Sequence, residues 1–550
     1  MKNKNLSDQQ LGGGNLENFN SLNRFLNSKE NLNSKSLSKK FLFSLAAVSV
    51  LATCANAQIS GAGCSGTCGT VSDTQTEKIT VSGTDNTTLT ITNSGSVNVN
   101  NSEAINFSND SSIQTFENKG TVVGGNNYGS IIIGNSNGNG ATITNFKNSG
   151  TIGNGSSKFG VVIWAKDDNT KSTIENFNNS GIISSNSGEN IFIKNTTIDK
   201  FTNSGTISST QGQGIQISKG TTITTFTNSG TISSNNETGL KINSSTIETF
   251  NNSGIIKSDG TNEPVDSLSG STGIKIHSDY VKTFNNTGVI AGKVGINIAA
   301  STIDNFTNTG TIESTSNHKL GAAISVSNLS GKATVIKTLT NSGTIKADNA
   351  SGILIEAGNK IETLNNKGTI EAGLYGIGFF TVDLTGNGIE LGQINLESSS
   401  VIKAGQDGIH IDGSDRGIKA KGIEVKKGAK VEGGNAGIFI GGGKQLDTLI
   451  KISGEVKGGV AGIINEGVIG SSSDGQESGI KVEGGGSIAS ANGGSGIVNQ
   501  GNGSIQGDIV VSGGGAIEGG ITNTGKGEIS GSITVDKDSK LDSIVNTSTS

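Results

Sequence analysis

The chain has 550 residues, of which 31% are hydrophobic and 4% aromatic, with 85 glycines and one proline. Globular domains contain about 45–50% apolar residues, so this composition excludes one or two compact globules with large cores. Intrinsic disorder is excluded as well, because only 16% of the residues are charged and isoleucine and valine recur at regular spacing. The formal net charge is −5 and Arg416 is the only arginine after residue 57, which argues against nucleic acid as a partner.

The first predicted element is an extended secretory signal peptide over residues 1–57. Residues 39–57 read KKFLFSLAAVSVLATCANA, where two lysines precede a short apolar stretch and Ala55-Asn-Ala57 has the A-x-A form of a cleavage site. The apolar stretch is too short to span a bilayer as a helix. Leu51-Ala-Thr-Cys54 resembles a bacterial lipidation signal, in which Cys54 would carry the lipid, and both interpretations stay open.

Residues 58–80 are predicted to form a cap at the start of the repeats that follow. Cys64 and Cys68 lie close together in the sequence CSGTC. In an exported protein such a pair suggests a local disulfide, although so small a loop adds little stability. A redox site would favour two intervening residues, and a metal site needs more ligands than these two.

Residues 81–380 repeat one phrase: an apolar residue, x, Asn, x, Gly, x, then Ile or Val. A representative copy is Phe226-Thr-Asn-Ser-Gly-Thr-Ile232, and copies recur roughly every 22 to 34 residues, within the range of solenoid repeats. The apolar position is occupied by Phe116, Phe146, Phe177, Phe201, Phe226, Phe250, Phe284 and Phe306. The asparagine position is occupied by Asn118, Asn148, Asn179, Asn203, Asn228, Asn252, Asn286, Asn308, Asn341 and Asn366. A unit that cannot bury its own apolar face must stack on its neighbours.

Each unit contains three short apolar bursts. They are Ile-x-x-Phe, the Gly-x-Ile that ends the phrase, and Gly-Ile-x-Ile, as in Gly214-Ile-Gln-Ile217. Short bursts with period-two alternation predict strands. Three strands in a unit of about 24 residues describe one coil of a parallel β-helix. The sequence therefore predicts an all-β fold, a single long parallel β-helix solenoid.

The phrase also predicts how the coils stack. In an extended segment Phe, Asn, Gly and Ile fall on one face, so Phe and Ile fill the core and Gly permits a corner. An inward asparagine is unfavourable unless its amide is hydrogen-bonded. Stacked coils solve this problem, because each amide can bond the asparagine above and below it. We therefore expect a column of phenylalanines and a ladder of asparagines. The alternation argument places Asn and Gly on the same face only if the corner does not fall between them.

Residues 381–550 are predicted to continue the same β-helix with a glycine-rich, thinner core. Bursts such as Gly437-Ile-Phe-Ile440 persist, while phenylalanine becomes rare. Late copies of the phrase start at Ile463 and Ile521, and a further copy begins at Ile544.

Signals of catalysis or of a cofactor are weak, and we expect no cofactor or metal. Asp407, His410, Asp412 and Asp415 form the best acidic cluster, and paired carboxylates cleave polysaccharides on other β-helices. The alternative is the polar outer face of one coil, which we favour. His277 and His318 lie far from this cluster in sequence and lack metal-ligand spacing.

Two further segments have features of binding or catalytic sites. Asp167 and Asp168 follow the only tryptophan, Trp164, which suggests sugar binding by ring stacking, with a solvated turn as the favoured alternative. The longest interruption of the repeats, from Ser258 to Thr272, contains Glu263 and two aspartates without a histidine or aromatic partner.

The signal peptide, the close cysteines and the long run of NSGTI-type repeats together resemble the passenger domain of bacterial autotransporters, over roughly residues 39–550. The resemblance implies a non-catalytic rod that adheres to a host-cell surface or to extracellular glycan or protein ligands. It also implies export to the cell surface or outer membrane, or secretion, with the periplasm as the destination if no barrel is supplied.

Members of this family carry a carboxy-terminal translocator barrel with alternating strands and aromatic girdles. No such pattern occurs in these 550 residues, so we expect the barrel to be missing from this chain. The alternative function is a polysaccharide lyase or hydrolase on the same β-helix fold.

Overall fold

The computed structural model describes residues 58–60, 69–84, 88–154, 157–264, 270–356, 358–380, 389–412, 418–443, 445–470 and 478–549. These residues form strands, turns and bends without a helix, and three parallel sheets wind into a β-solenoid with three strands per coil. The predicted fold class is therefore confirmed. In the described ranges no helix has the length and hydropathy to cross a membrane.

Three sheets run along the solenoid, and as far as Gln445–Ile452 each coil adds one strand to each of them. The first sheet consists of Gln58–Ser60, Ile79–Ser82, Ile105–Phe107, Gly129–Gly134, Phe159–Trp164, Ile191–Lys194, Ile215–Ser218, Leu240–Asn243, Thr272–His277, Val294–Ala299, Ala322–Ser327, Ser351–Glu356, Ile377–Phe380, Asp407–Ile411, Ala436–Ile440, Ala461–Asn465, Ile497–Asn499, Ile521–Asn523 and Ile544–Asn546.

The second sheet carries the Ile-x-x-Phe bursts. It consists of Thr70–Val71, Thr88–Ile91, Ser112–Asn118, Thr142–Asn148, Ser172–Asn179, Thr196–Asn203, Thr222–Asn228, Thr246–Asn252, Tyr280–Asn286, Thr302–Asn308, Val335–Asn341, Lys360–Asn366, Ile389–Leu396, Ile418–Val425, Gln445–Ile452, Val468–Ile469, Gly479–Val482, Ser504–Ile505, Asp508–Val511, Glu528–Ile529 and Ile533–Val535.

The third sheet carries the Gly-x-Ile end of the phrase. It consists of Thr74–Gln75, Ser96–Asn98, Thr121–Val123, Thr151–Ile152, Ile182–Ser185, Thr206–Ser209, Thr231–Ser234, Ile255–Ser258, Val289–Gly292, Thr311–Ser314, Thr344–Ala347, Thr369–Ala372, Val401–Ala404, Lys430–Gly433, Glu455–Gly458, Ser487–Ser490, Ala516–Ile517 and Lys540–Leu541.

The start of the solenoid lies inside the segment predicted as a cap. Gln58–Ser60 pairs antiparallel with Ile79–Ser82, as the end of the first sheet. Thr70–Val71, however, already pairs in parallel with Thr88–Ile91 of the second sheet. The first coil therefore begins near residue 70.

One coil illustrates why the phrase folds this way. Ile223, Phe226 and Asn228 are fully buried, and the two residues between Ile223 and Phe226 both face outward. The strand therefore does not alternate strictly at this point. The chain then turns, and Ile232 is buried from the third sheet. Strands this short cannot bury their inward face alone. The coils before and after cover it, because they pair in parallel with this strand.

Glycine is required at the corner of the phrase for a reason that the sequence did not show. Gly230 does not have a positive φ in the structure. A β-carbon at Gly230 would instead lie 2.1 Å from the carbonyl oxygen of Gly205 in the preceding coil. Close approach of stacked backbones, rather than a left-handed conformation, excludes a side chain here.

The second sheet changes composition after Lys360–Asn366. Asn366 pairs with Leu396, so an apolar residue takes over the asparagine position. Beyond Gln445–Ile452 the sheet divides, because that strand pairs with both Val468–Ile469 and Gly479–Val482. The glycine-rich part thus continues the solenoid with the second sheet split into two rows of strands.

Candidate functional sites

The ten asparagines of the phrase form one continuous column, which we call the Asn ladder. Each Nδ2 donates to the Oδ1 of the next asparagine at 2.7–2.8 Å, from Asn118 through to Asn366. The same Nδ2 reaches the carbonyl oxygen of the glycine two residues on, as from Asn228 to Gly230 at 3.2 Å. The ladder ends where Asn366 donates to Ser400 Oγ at 2.6 Å. These buried amides are therefore hydrogen-bonded, as burial demands, except for Asn118 Oδ1 at the start of the ladder, which has no partner among the described residues.

The eight phenylalanines of the phrase also form one column. From Phe146 to Phe306 the neighbouring rings are stacked, with centroids 4.4–5.0 Å apart and interplanar angles of 3–9°. Phe116 is tilted by 46° against Phe146 and meets Phe107 of the first sheet edge-on. Phe107 was not among the predicted members, because its strand carries no copy of the phrase.

The late copies of the phrase occupy a different corner from the early ones. Asn465, Asn499, Asn523 and Asn546 form a second ladder, with Nδ2 to Oδ1 distances of 2.7, 2.7 and 3.1 Å. These asparagines end strands of the first sheet, whereas the Asn ladder ends strands of the second. The phrase therefore marks an Asn-Gly corner that lies between the second and third sheets in the early coils and between the first and second sheets in the late ones.

A column of buried polar residues lines the corner between the first and second sheets. The backbone N–H of each residue donates to a side-chain oxygen in the next coil: Ser245 to Asp279 Oδ1 at 2.6 Å, Asp279 to Ser301 Oγ at 3.1 Å, and Thr334 to Asn359 Oδ1 at 2.8 Å. Sequence reasoning missed this column. Its only signal is a small polar residue before the Thr-Ile-x-x-Phe burst, and such residues are common throughout the chain.

Among the residues of this column named above, Asp279 is the one that carries a carboxyl group. Burial raises the pKa of Asp279 from its ordinary 3.8 to about 8, against the opposing effect of the N–H groups of Ser245 and His277. A groove of about 520 Å³ runs over the corner and is lined by Asp279, Lys332 and the ion pair of Lys171 with Asp168. The protonated carboxyl is thus neutral at pH 7 inside a polar groove.

The acidic cluster predicted at residues 407–415 is brought together only in part. His410 Nδ1 lies 2.7 Å from Asp407 Oδ2, and both side chains are buried. Asp407 Oδ1 accepts hydrogen bonds from Asn435 Nδ2 at 2.8 Å and from the N–H of Ala436 at 2.9 Å. Asp415 lies outside the described residues. Asp407 Oδ1 therefore links two adjacent coils, while Oδ2 contacts His410 within the same strand.

The ring of His410 belongs to an aromatic stack on the first sheet. It lies between Tyr375, at 3.9 Å and 15°, and Phe439, at 4.9 Å and 8°. The three residues come from three successive coils. A carboxylate–imidazole pair can transfer a proton. Here, however, the imidazole is also stacked between two aromatic rings of the neighbouring coils.

The long interruption between Ser258 and Thr272 is fastened to later coils. Glu263 Oε1 pairs with Lys293 Nζ at 2.7 Å, and its Oε2 accepts from Ser316 Oγ at 2.6 Å and the N–H of Asn317 at 3.3 Å. Residues 265–269, which include Asp266, lie outside the described residues. The Glu263 carboxylate therefore links this interruption to residues of later coils.

The remaining histidines make local contacts. His277 Nε2 lies 2.6 Å from Asn297 Oδ1, and burial lowers the pKa of His277. His318 Nδ1 accepts from the N–H of Leu320 at 3.2 Å. In the part of the chain that the structure describes, no three His, Cys, Asp or Glu side chains are grouped so that they could hold a metal ion.

Trp164 lines a groove, and the two aspartates that follow it in the chain do not line this groove. A groove of about 420 Å³ is lined by Trp164 together with Glu103, Asn106 and Ile132 of earlier coils. Asp168 instead pairs with Lys171 at 3.5 Å, and Asp167 caps a turn by accepting from the N–H of Asn169 at 3.0 Å. The two aspartates lie in a turn after the strand, as in the favoured alternative, while strand pairing places Trp164 beside residues of earlier coils.

Three predicted sites lie outside the described residues: the lipidation candidate Cys54, the disulfide candidates Cys64 and Cys68, and the signal peptide over residues 1–57. In comparisons of sequence and of fold, the chain matches no protein-family model, no curated protein and no solved structure.

Proposed function

We propose that this chain is an autotransporter-type passenger, a structural and adhesive rod that is exported and then binds host or neighbouring cell surfaces. The proposal rests on the resemblance carried by the signal peptide and the NSGTI-type repeats, together with the solenoid fold. Its partners are host-cell surfaces or extracellular glycan or protein ligands. A translocator barrel from outside these 550 residues would complete the export route to the outer membrane or the medium.

The observation that carries the adhesive function is the regular outer face of the second sheet. Outward positions stack in register through successive coils, as in the column Lys200, Thr225, Thr249 and Thr283. Adjacent strands of a sheet lie about 4.8 Å apart, so similar polar side chains repeat at that interval. Such an array makes many weak contacts with an extended ligand, and many weak contacts add up to firm attachment.

A set of alanine substitutions on this face tests the proposal directly. The test variant carries three outward changes on the second sheet: Thr225→Ala, Thr249→Ala and Thr283→Ala. The matched control carries three outward threonine changes on the third sheet: Thr231→Ala, Thr311→Ala and Thr344→Ala. Attachment of the purified chain to cultured epithelial cells should weaken for the first variant and stay unchanged for the second. Equal attachment of both variants would contradict the proposal.

A deletion series tests whether binding is distributed. Removing residues 226–249 joins Thr225 to Phe250 and preserves the register, since Phe226 and Phe250 are paired. Each further coil removed should lower attachment by a similar small factor. Complete loss on removal of one particular coil would leave an adhesin with a single site and refute distributed binding.

The alternative function is cleavage of a polysaccharide, and the contact between Asp407 and His410 favours it. A buried carboxylate 2.7 Å from Nδ1 fixes the orientation of an imidazole, which is a common arrangement for general acid–base catalysis. We place this alternative second, because the same two side chains also bond and stack between coils.

A further inference from the structure

The groove beside Trp164, which we call the Trp164 groove, exists because the neighbouring position has no side chain. Trp164 pairs with Gly134 of the preceding coil in the first sheet. Gly134 has a φ of 77°, and a β-carbon there would lie 2.3 Å from the carbonyl oxygen of Trp164. Only glycine fits this position. The indole therefore borders an open volume of about 420 Å³, inside the usual size range of small-ligand sites.

The floor and far wall of the Trp164 groove combine apolar and polar surface. Ile132 and Asn106 occupy successive positions of one outward column, and both are partly exposed. Glu103 Oε1 accepts from Asn106 Nδ2 at 3.2 Å and from Lys78 Nζ at 2.9 Å. These two bonds hold the carboxylate and the amide in place and offset the negative charge. In the described part of the chain, Glu103 Oε2 has no hydrogen bond and remains as an acceptor.

The indole itself is positioned by a neighbour and carries an unused donor. Phe192 of the next coil meets Trp164 edge-on, with ring centroids 6.3 Å apart. Trp164 Nε1 is buried and has no hydrogen-bond partner among the described residues. This N–H has almost no accessible surface, so the indole presents its ring and not its donor to a ligand in the groove.

We propose that the Trp164 groove is a saccharide-binding subsite that takes a neutral sugar residue of a surface glycan. The apolar C–H face of the sugar packs on the indole, while its hydroxyls bond the amide of Asn106 and the carboxylate of Glu103. An aromatic wall with a few fixed polar groups is the usual composition of such a site. The ion pair with Lys78 compensates the negative charge of Glu103 at this wall. This inference rests on the proposed adhesive function and locates one of its contacts.

The single tryptophan makes the subsite directly measurable, because Trp164 is the only source of tryptophan fluorescence. The purified chain is titrated with neutral cello-, manno- and galacto-oligosaccharides, and with an oligogalacturonate as the acidic counterpart. We expect a saturable change of emission with at least one neutral series and not with the acidic one. Absence of a saturable change with all neutral series would overturn the proposal, as would a response to the acidic probe alone.

A matched pair of variants shows whether the response comes from this groove. Asn106→Ala keeps the fluorophore and should weaken binding by roughly 2- to 12-fold, the factor expected for one lost neutral hydrogen bond. Asn305→Ala, an outward asparagine of the second sheet, should leave the affinity unchanged. Equal affinity of both variants would overturn the assignment. Circular dichroism of each variant establishes that the fold is retained.

Cell attachment separates failure of the subsite from failure of the proposed function. If neutral oligosaccharides produce no response while the chain still attaches to cells, the subsite is refuted and the adhesive function stands. If the oligosaccharides bind and Trp164→Ala leaves cell attachment unchanged, the subsite stands and its part in adhesion is refuted.

Discussion

Replacing Asn228 with alanine removes one member from the middle of the Asn ladder. Its Nδ2 donates to Asn252 Oδ1 at 2.8 Å and to the carbonyl oxygens of Gly230 and Ile255 at 3.2 and 3.3 Å, while its Oδ1 accepts from Asn203 Nδ2 at 2.8 Å. The side chain is fully buried, so water does not replace these bonds in the folded state. The substitution therefore disturbs three coils at once.

The expected loss of stability follows from the groups that are left behind. Asn252 Oδ1 loses its ladder donor in a buried position, which costs about 1–3 kcal/mol. Asn203 Nδ2 loses one acceptor but keeps the carbonyl oxygens of Gly205 and Thr231 at 3.3 Å, so its contribution is smaller. Together these effects predict a loss of about 1–4 kcal/mol in the free energy of unfolding of the affected coils.

Two further variants distinguish the effect of the buried ladder hydrogen bonds from the effect of losing any asparagine side chain. Asn228→Asp replaces the donor by an acceptor that faces Asn252 Oδ1, so it should destabilise at least as much as alanine and more as pH rises and the carboxyl ionises. Asn251→Ala is the matched control, because Asn251 lies in the next coil beside the ladder residue Asn252, faces outward and accepts from Asn285 Nδ2 at 2.9 Å. Its loss should be within about 0.5 kcal/mol, since water can replace that bond.

The measurement must resolve individual coils. Repeat arrays do not unfold in one cooperative step, so a single midpoint does not report local stability. Hydrogen exchange followed by mass spectrometry on peptides covering residues 196–258 gives the opening free energy of the disturbed coils, and urea denaturation gives the global effect. If Asn228→Ala exchanges like Asn251→Ala, the ladder contributes no more than a surface amide and the reasoning fails.

Three other outcomes are expected. Phe226→Ala should destabilise by about 3–5 kcal/mol in the same exchange assay, because it removes a fully buried ring stacked on both sides; a loss under about 1 kcal/mol would contradict the column. Asp279 keeps its proton in the folded chain up to about pH 8 but loses it near pH 3.8 when unfolded, so its contribution to stability falls as pH rises between these values. Asp279→Asn lacks this titration, so its melting temperature relative to that of the parent should rise from pH 4 to pH 8 and stay constant above pH 8. A difference between the two melting temperatures that does not change with pH would refute this. The triple variant Asp407→Asn, Asp412→Asn, Asp415→Asn should bind cells like the parent, whereas cleavage of acidic polysaccharides by the parent that the variant loses would establish the enzyme instead.

The sequence carried most of the information about the early coils. Phe226 and Asn228 recur with the same spacing to Gly230 and Ile232 in copy after copy, and a repeated unit that stacks must bring equivalent residues together. Fold class, three strands per coil and the membership of both columns follow from that one repetition. The geometry of Gly230 did not follow, because a carbonyl oxygen of another coil, rather than the φ of the residue, requires the glycine there.

Outside the phrase, the residues that stack on each other in neighbouring coils depend on the number of residues in each coil. That number cannot be read from the sequence alone. Asn465 follows the same local pattern as Asn228, but it ends a strand of the first sheet, whereas Asn228 ends a strand of the second. Its corner therefore lies between the first and second sheets. Trp164 meets Ile132 and Glu103 rather than the aspartates three and four residues along, since register pairing outweighs proximity in the chain. The sequence by itself thus determined the repeating core, whose contacts are copies of one local pattern. Only the tertiary structure decided the outer grooves and the buried Asp279, because each brings together residues from coils whose spacing varies from 22 to 34 residues.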